Sequence, residues 1–150
     1  MPNLPYARNF RELMVYAKAL DLASDVFGIS KTFPREEMYA LTDQIRRSSR
    51  SIGAQIAEAW AKRRYPKHFA SKLTDADGEQ NETQHWVEVA YQSKYIDHSQ
   101  RDHLINLCSE IGRMLGSMIN QPEGFSGDKS GSVREDAVPF LANSTPRNGD

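Results

Sequence analysis

Seven basic residues are the part of this chain whose types and spacing fit chemistry with an anion. Arg46, Arg47 and Arg50 sit inside the segment 33–65, FPREEMYALTDQIRRSSRSIGAQIAEAWAKRRY, and Lys62, Arg63, Arg64 and Lys67 follow at its end. Each could neutralise a phosphate, and each such contact would make binding weaken with salt. The three arginines have a competing use. If the segments on either side of Tyr65 form an antiparallel helical hairpin, Arg47 and Arg50 lie level with Gln80 to Thr83. Glu79 and Glu82 are then within reach, and paired arginines would hold the register of the hairpin. Lys62, Arg63, Arg64 and Lys67 have no acidic neighbours in sequence and close a helix. There they either meet an anion or complement the negative end of the helix dipole.

Other residue types with chemical potential fall short of a site. Glu82-x-x-His85 is the spacing with which ferritin-like bundles ligate paired metals, but that chemistry needs a second such motif and two further glutamates, which the sequence does not supply. Cys108 falls on an apolar stripe and reads as a small core residue, and a lone cysteine permits no disulfide within the chain. His68, His98 and His103 have no catalytic spacing. Ser48, Ser49 and Ser51 lack a His/Asp arrangement to activate them. With no glycine-rich phosphate loop, zinc spacing or dinucleotide fingerprint, the expectation is a protein that is not an enzyme and carries no metal or cofactor.

The elements that would position the basic residues are helices. From Asn9, a candidate N-cap, Phe10, Leu13, Ala17, Leu20, Ser24 and Phe27 recur in steps of three and four. This predicts the seam of a first helix ending near Gly28, with Val15, Leu22 and Val26 widening its face. A second helix is expected from Pro34, with Glu36 and Glu37 favoured in its first turn and Leu41, Ile45, Ile52, Ile56 and Ala59 facing the core. An adjacent stripe of Arg46, Arg50, Gly53, Ala57, Ala61 and Arg64 predicts a second packing face. Gly53, Ala57 and Ala61, with Trp60 and Trp86 at the edges of their core faces, are candidates for contact with another copy. Tyr65-Pro66 forces a break. A third helix, Pro66 to Tyr95, carries Phe69, Leu73, Ala76, Gln80, Thr83, Val87 and Tyr91 on one face and tolerates the polar DADGEQNETQ run with Gly78 inside it. Ser99 and Asp102 suggest a capping box for a fourth helix marked by Leu104, Cys108, Ile111, Leu115 and Met118. Short connections make the expected fold all-α, an antiparallel up-down-up-down four-helix bundle over 9–121.

At 150 residues and 17.0 kDa the chain has the size of one domain. Its net charge of −1 hides an uneven distribution, because Arg35 to Lys72 hold nine basic residues against four acidic ones. Residues 1–8, with two prolines, read as an extended lead-in. Residues 122–150 are rich in Gly, Ser, Asn, Asp and Pro and are expected to be a flexible tail, with Val138, Phe140 and Leu141 its only candidates for docking. No strand signal appears. No secretory signal or membrane-length apolar run is present, so a cytoplasmic location is expected.

The runs FRELMVYAKALDL from Phe10 and FPREEMYALTDQIRRSSRSIGAQIAEA from Phe33, followed by Phe69 and the polar stretch to Glu82, resemble the 23S rRNA intervening-sequence protein family. The similarity extends over roughly residues 8–121. Ala40 and Ala59 stand where that family favours glycine, and Gln55 where it has asparagine. The resemblance implies a left-handed antiparallel bundle assembling into a homopentameric ring without established enzymatic activity. Genes of the family sit in insertions within ribosomal RNA genes or elsewhere on bacterial chromosomes. A related bundle, the accessory protein of diversity-generating retroelements, works with a reverse transcriptase and has a basic surface. The resemblance therefore implies RNA, DNA or a nucleic-acid enzyme as partner. A protein-interaction scaffold without nucleic-acid contact is the alternative.

Overall fold

Leu13 sets the start of the first long helix. A computed structural model describes residues 6–121, Gly124 and Val133–Arg134. The Asn9 side chain caps a single 3-10 turn, Phe10–Glu12, by accepting from the Arg11 N–H at 2.9 Å. Leu13 is extended (φ −73°, ψ 133°), so α1 (Met14–Ser30) begins after it instead of at Asn9. Of the two apolar stripes along α1, the one that faces the core is Val15, Ala19, Leu22, Val26 and Ser30. Leu13, Val15, Leu22 and Val26 of the expected face are thus buried, while the rest of its seam lies to one side. Leu20 and Phe27 are 51% and 38% exposed, and Ser24 is exposed with them.

The expected second helix enters by a different route. Pro34 is extended and precedes a 3-10 turn, Arg35–Glu37, which runs into a π turn, Met38–Thr42, before α2 (Asp43–Ala61) begins. Glu37 fixes this entry by accepting from the Tyr95 hydroxyl at 2.7 Å. Leu41, Ile45, Ile52, Ile56 and Ala59 are all buried, as the periodicity predicts. Tyr65 is extended before Pro66, which opens α3 (Pro66–Gln92) as its first residue. The polar run through Gly78 is helical throughout.

Burial of polar groups in α3 is tolerated because they are satisfied. Ser48 Oγ and Thr83 Oγ1 lie 2.8 Å apart in the core. Gln80 Nε2 donates to Asp77 Oδ1 at 2.9 Å while its Oε1 accepts from Gln84 Nε2 at 2.8 Å. The third helix ends at Gln92, three residues short of expectation, because Lys94 adopts a left-handed conformation (φ 65°) and the Tyr95 N–H turns back to the Ala90 carbonyl at 2.9 Å. Asp97, rather than Ser99, caps α4 (His98–Asn120) in a full capping box with Gln100. Asp102 instead approaches His98 and Arg101. An aspartate directly before the helix, with glutamine three residues on, outcompetes the serine because its carboxylate is the stronger acceptor at the positive helix end.

The four α-helices of the described residues close around one core. Tyr16 lies over Gly53 and Ser30 meets Arg46, joining α1 to α2. Glu58 with Lys72 and Arg47 with Glu82 join α2 to α3. Glu88 with Arg101 joins α3 to α4, and Lys18 with Glu110 and Asp25 with His103 join α4 to α1. Where α4 packs on α3, a Cβ on Gly112 would stand 2.9 Å from Gln80 Nε2. Gln80 is buried and held by its two side-chain hydrogen bonds, so it cannot simply swing away. Gly112→Ala is expected to lower stability by about 1–3 kcal/mol, as overpacking does, read as a shift of the urea midpoint with unchanged slope.

Two short strands lie outside the helices. Tyr6–Ala7 (β1) pairs antiparallel with Val133–Arg134 (β2), Ala7 opposite Val133, and Ala7 is buried. Two residues per strand leave no alternation for sequence patterning to detect. Apart from β2 and Gly124, the expected flexible tail and its candidate docking residues lie outside the described residues. Among the described residues no helix is long and apolar enough to cross a membrane.

Candidate functional site

The α2–α3 connection concentrates cations because it is short. Lys62 to Tyr65 form a tight turn, with the Lys62 N–H returning to the Ala59 carbonyl and the Tyr65 N–H to the Lys62 carbonyl, both at 2.9 Å. Lys62, Arg64 and Lys67 are exposed, and among the described residues none of them makes an ion pair. Tyr65, also exposed, tilts toward His68 with ring centroids 6.0 Å apart. Arg63 differs from its neighbours. It lies 4.4 Å over the Trp60 ring and donates to the Trp60 carbonyl at 3.1 Å. Burial, and then the charge of Arg64, hold its pKa below the ordinary arginine value. Arg63 thus caps the end of α2, and the other three project into solvent.

The three arginines within α2 have separate fates. Arg47 pairs across to α3, 3.4 Å from Glu79 and 2.5 Å from Glu82, as the hairpin register predicts. Arg50 does not join it. Arg46 and Arg50 turn instead toward α1, with guanidinium carbons 4.7 and 5.4 Å from the Phe27 ring centroid, and Arg46 Nε donates to Ser30 Oγ at 2.8 Å. The helical wheel explains the split, since Arg46 and Arg50 lie on the α1 side of α2 and Arg47 on the α3 side. Phe27 was expected in the core seam, so neither it nor Lys31 stood among the candidate site residues. The three arginines also line a shallow depression of about 660 Å³ on the outer face of α2, shared with Asp43 and Gln44.

Glu82 is the most heavily used carboxylate of the pair. It accepts from Arg47 and, at 3.0 Å, from Trp86 Nε1. The Arg47 hydrogen bond, followed by that from Trp86, pulls its pKa below the ordinary 4.5. Because the folded value is depressed, the associated stability is present above the unfolded pKa and is lost as pH falls through the folded one. Glu82→Gln is therefore expected to lose less stability than the native protein between neutral and acidic pH, with urea midpoints measured across the carboxylate range as the check. Equal losses in the two proteins would mean that Glu82 is not linked to folding in this way.

The remaining sequence candidates fall as follows. His85 packs against Trp86, and among the described residues no three His, Cys, Asp or Glu groups could hold a metal ion together. Cys108 is fully buried, and burial pushes its thiol up to about 12. Of the residues expected to contact another copy, Gly53 is buried beneath Tyr16 of its own chain, a Cβ there standing 3.4 Å from Tyr16 Cε1. Trp60 is buried as well, and Trp86 is half-buried and spent on Glu82. The close approach that small residues permit is thus partly consumed by α1. Ala57 remains half-buried and Ala61 exposed, with Ala54 exposed beside them.

The family profile described as 23S rRNA-intervening sequence protein matches residues 11–117. The chain belongs to this family. The match takes in all of α1 to α3 from the first 3-10 turn onward and most of α4, so the basic turn and the arginines of α2 lie within the family region. A crystal structure of a protein of unknown function from the S23 ribosomal protein family, from Bacteroides thetaiotaomicron VPI-5482, is similar to the chain at 33% identity. The similarity covers 72% of this chain and 100% of that one, with a TM-score of 0.65. No curated protein matches the chain closely enough to count as a relative.

Proposed function

We propose that this family member is a non-enzymatic, cytoplasmic, homo-oligomeric bundle of the antiparallel up-down-up-down type. It binds RNA, DNA or a ribonucleoprotein through the basic turn between α2 and α3. The observation that carries the reading is the exposure of Lys62, Arg64 and Lys67 without ion pairs among the described residues. Three such charges on one tight turn create a local field that a polyanion relieves. The family's description as 23S rRNA-intervening sequence protein agrees with a nucleic-acid partner. A pentamer is the assembly we favour, on resemblance. The exposed Leu20, Met38 and Tyr39 leave apolar surface for contact between copies.

The scaffold alternative has the arginines of α2 used in pairing within the chain, and gains if Arg46, Arg47 and Arg50 face Glu79 and Glu82. Only Arg47 meets those glutamates; Arg46 and Arg50 rest on Phe27, contacts that leave their charges unneutralised, which is what favours the nucleic-acid reading. The test is retention of nucleic acid by the purified protein and by a Lys62→Glu/Arg64→Glu/Lys67→Glu variant, with mass in solution measured in parallel. Loss of retention at unchanged mass is expected. Retention that survives all three reversals ends the proposal.

A further inference from the structure

Phe27 gathers more positive charge than its exposed position requires. Lys31 Nζ stands 4.7 Å from the ring centroid, and the guanidinium carbons of Arg46 and Arg50 stand at 4.7 and 5.4 Å. Three cations around one ring repel one another, and among the described residues none of the three has a carboxylate partner in an ion pair. The attraction of a ring quadrupole for cations offsets part of this repulsion but neutralises no charge. The cluster is also held in place. Ser30, 2% exposed, donates through Oγ to the Phe27 carbonyl at 3.1 Å and accepts from Arg46 Nε at 2.8 Å, so the ring, the serine and the arginine form one ordered unit.

We infer that Lys31, Arg46 and Arg50, gathered on Phe27, form a second phosphate-backbone site for the nucleic acid bound at the α2–α3 turn. The inference rests on the proposed nucleic-acid reading and adds a place to it. Its chemistry is that of phosphate and not of bases, because the cations already occupy the surroundings of the Phe27 ring where a base would stack. Asp43 lines the same depression as Arg46 and Arg50, so an anion is expected to settle on the Lys31 side, away from that carboxylate. The two basic groups lie along the same helix. From Arg50 to the end of α2 at Ala61 is roughly 17 Å at the rise of an α-helix. The residues exposed between them are Ala54, Glu58 and Ala61, of which the two alanines place no bulk in the path and Glu58 turns to Lys72 at 2.9 Å, on the α3 side. A strand laid along α2 can therefore touch Phe27's cations at one end and Lys62, Arg64 and Lys67 at the other.

The experiment is a salt titration of fluorescein-labelled poly(U) binding to the full chain, followed by anisotropy, with melting curves as the folding control. A Lys31→Gln/Arg50→Gln variant leaves the Arg46–Ser30 bond in place. Its slope of log affinity against log salt is expected to be shallower by about 1.4, two contacts at roughly 0.7 each for a single strand. If that variant melts abnormally, Lys31→Gln alone carries the test with an expected change of about 0.7. A native slope in a folded variant overturns the second site, while the turn reading survives if Lys62→Glu/Arg64→Glu/Lys67→Glu still flattens the slope. A native protein with no salt-dependent affinity for poly(U) overturns both. Labelled poly-glutamate bound as tightly as poly(U), and released by the same double variant, would make the cluster a site for an acidic protein and overturn the phosphate assignment.

Discussion

Phe69→Ala is expected to destabilise the protein by about 3–5 kcal/mol, whereas Leu20→Ala is expected to change stability by less than about 1 kcal/mol. Phe69 stands in the first turn of α3 at 1% exposure and is among the largest fully buried side chains. Its removal forfeits the transfer of a whole ring from water and leaves a cavity that the short α2–α3 connection cannot close by moving. Leu20 is half exposed, so its truncation removes little buried area. Against a total of about 5–15 kcal/mol for a domain of ordinary stability, the first substitution leaves a folded but fragile protein. Urea unfolding of the two variants is the check. A Leu20→Ala loss as large as that of Phe69→Ala would return Leu20 to the core and restore the seam that periodicity alone suggests.

The other large effect is on binding. Reversing Lys62, Arg64 and Lys67 together is expected to lower affinity for a nucleic-acid strand on the order of 100-fold at physiological salt, since three released counterions are lost and three repulsions gained. Stability should scarcely change, because none of the three has an ion pair among the described residues and all are exposed. Arg63 is left out of this set on physical grounds. Its guanidinium covers Trp60 and bonds the Trp60 carbonyl, so reversing it would disturb the end of α2 as well as the surface charge. Mass in solution and melting temperature separate the two effects. A folded triple variant that binds as the native protein does would place the nucleic-acid surface elsewhere.

Particular residues show how far sequence reasoning reaches here. The core faces of α2, α3 and α4 were legible because each carries one apolar stripe and polar residues opposite, and even the polar run around Gly78 kept its register. Around α1 the reasoning reached Leu13, Val15, Leu22 and Val26 but centred the face on Leu20 and Phe27, for a physical cause. That helix is apolar on two stripes, and local spacing cannot say which one the rest of the bundle covers. The same ambiguity hid Phe27 as a surface platform and, with it, the destination of Arg46 and Arg50. Gly53 was rightly read as a place of close approach, but the approaching group is Tyr16 of the same chain. Entry to α2 through a π turn and the two-residue pairing of β1 with β2 depend on contacts distant in sequence, which no local pattern encodes.

The most direct test of the account is the salt dependence of poly(U) binding by the native protein compared with Lys62→Glu/Arg64→Glu/Lys67→Glu. The account predicts that log affinity of the native protein falls linearly with log salt, and that the variant's slope is shallower by at least about 2, three contacts at roughly 0.7 each. An identical slope for the two proteins, both folded and of equal mass, would contradict it.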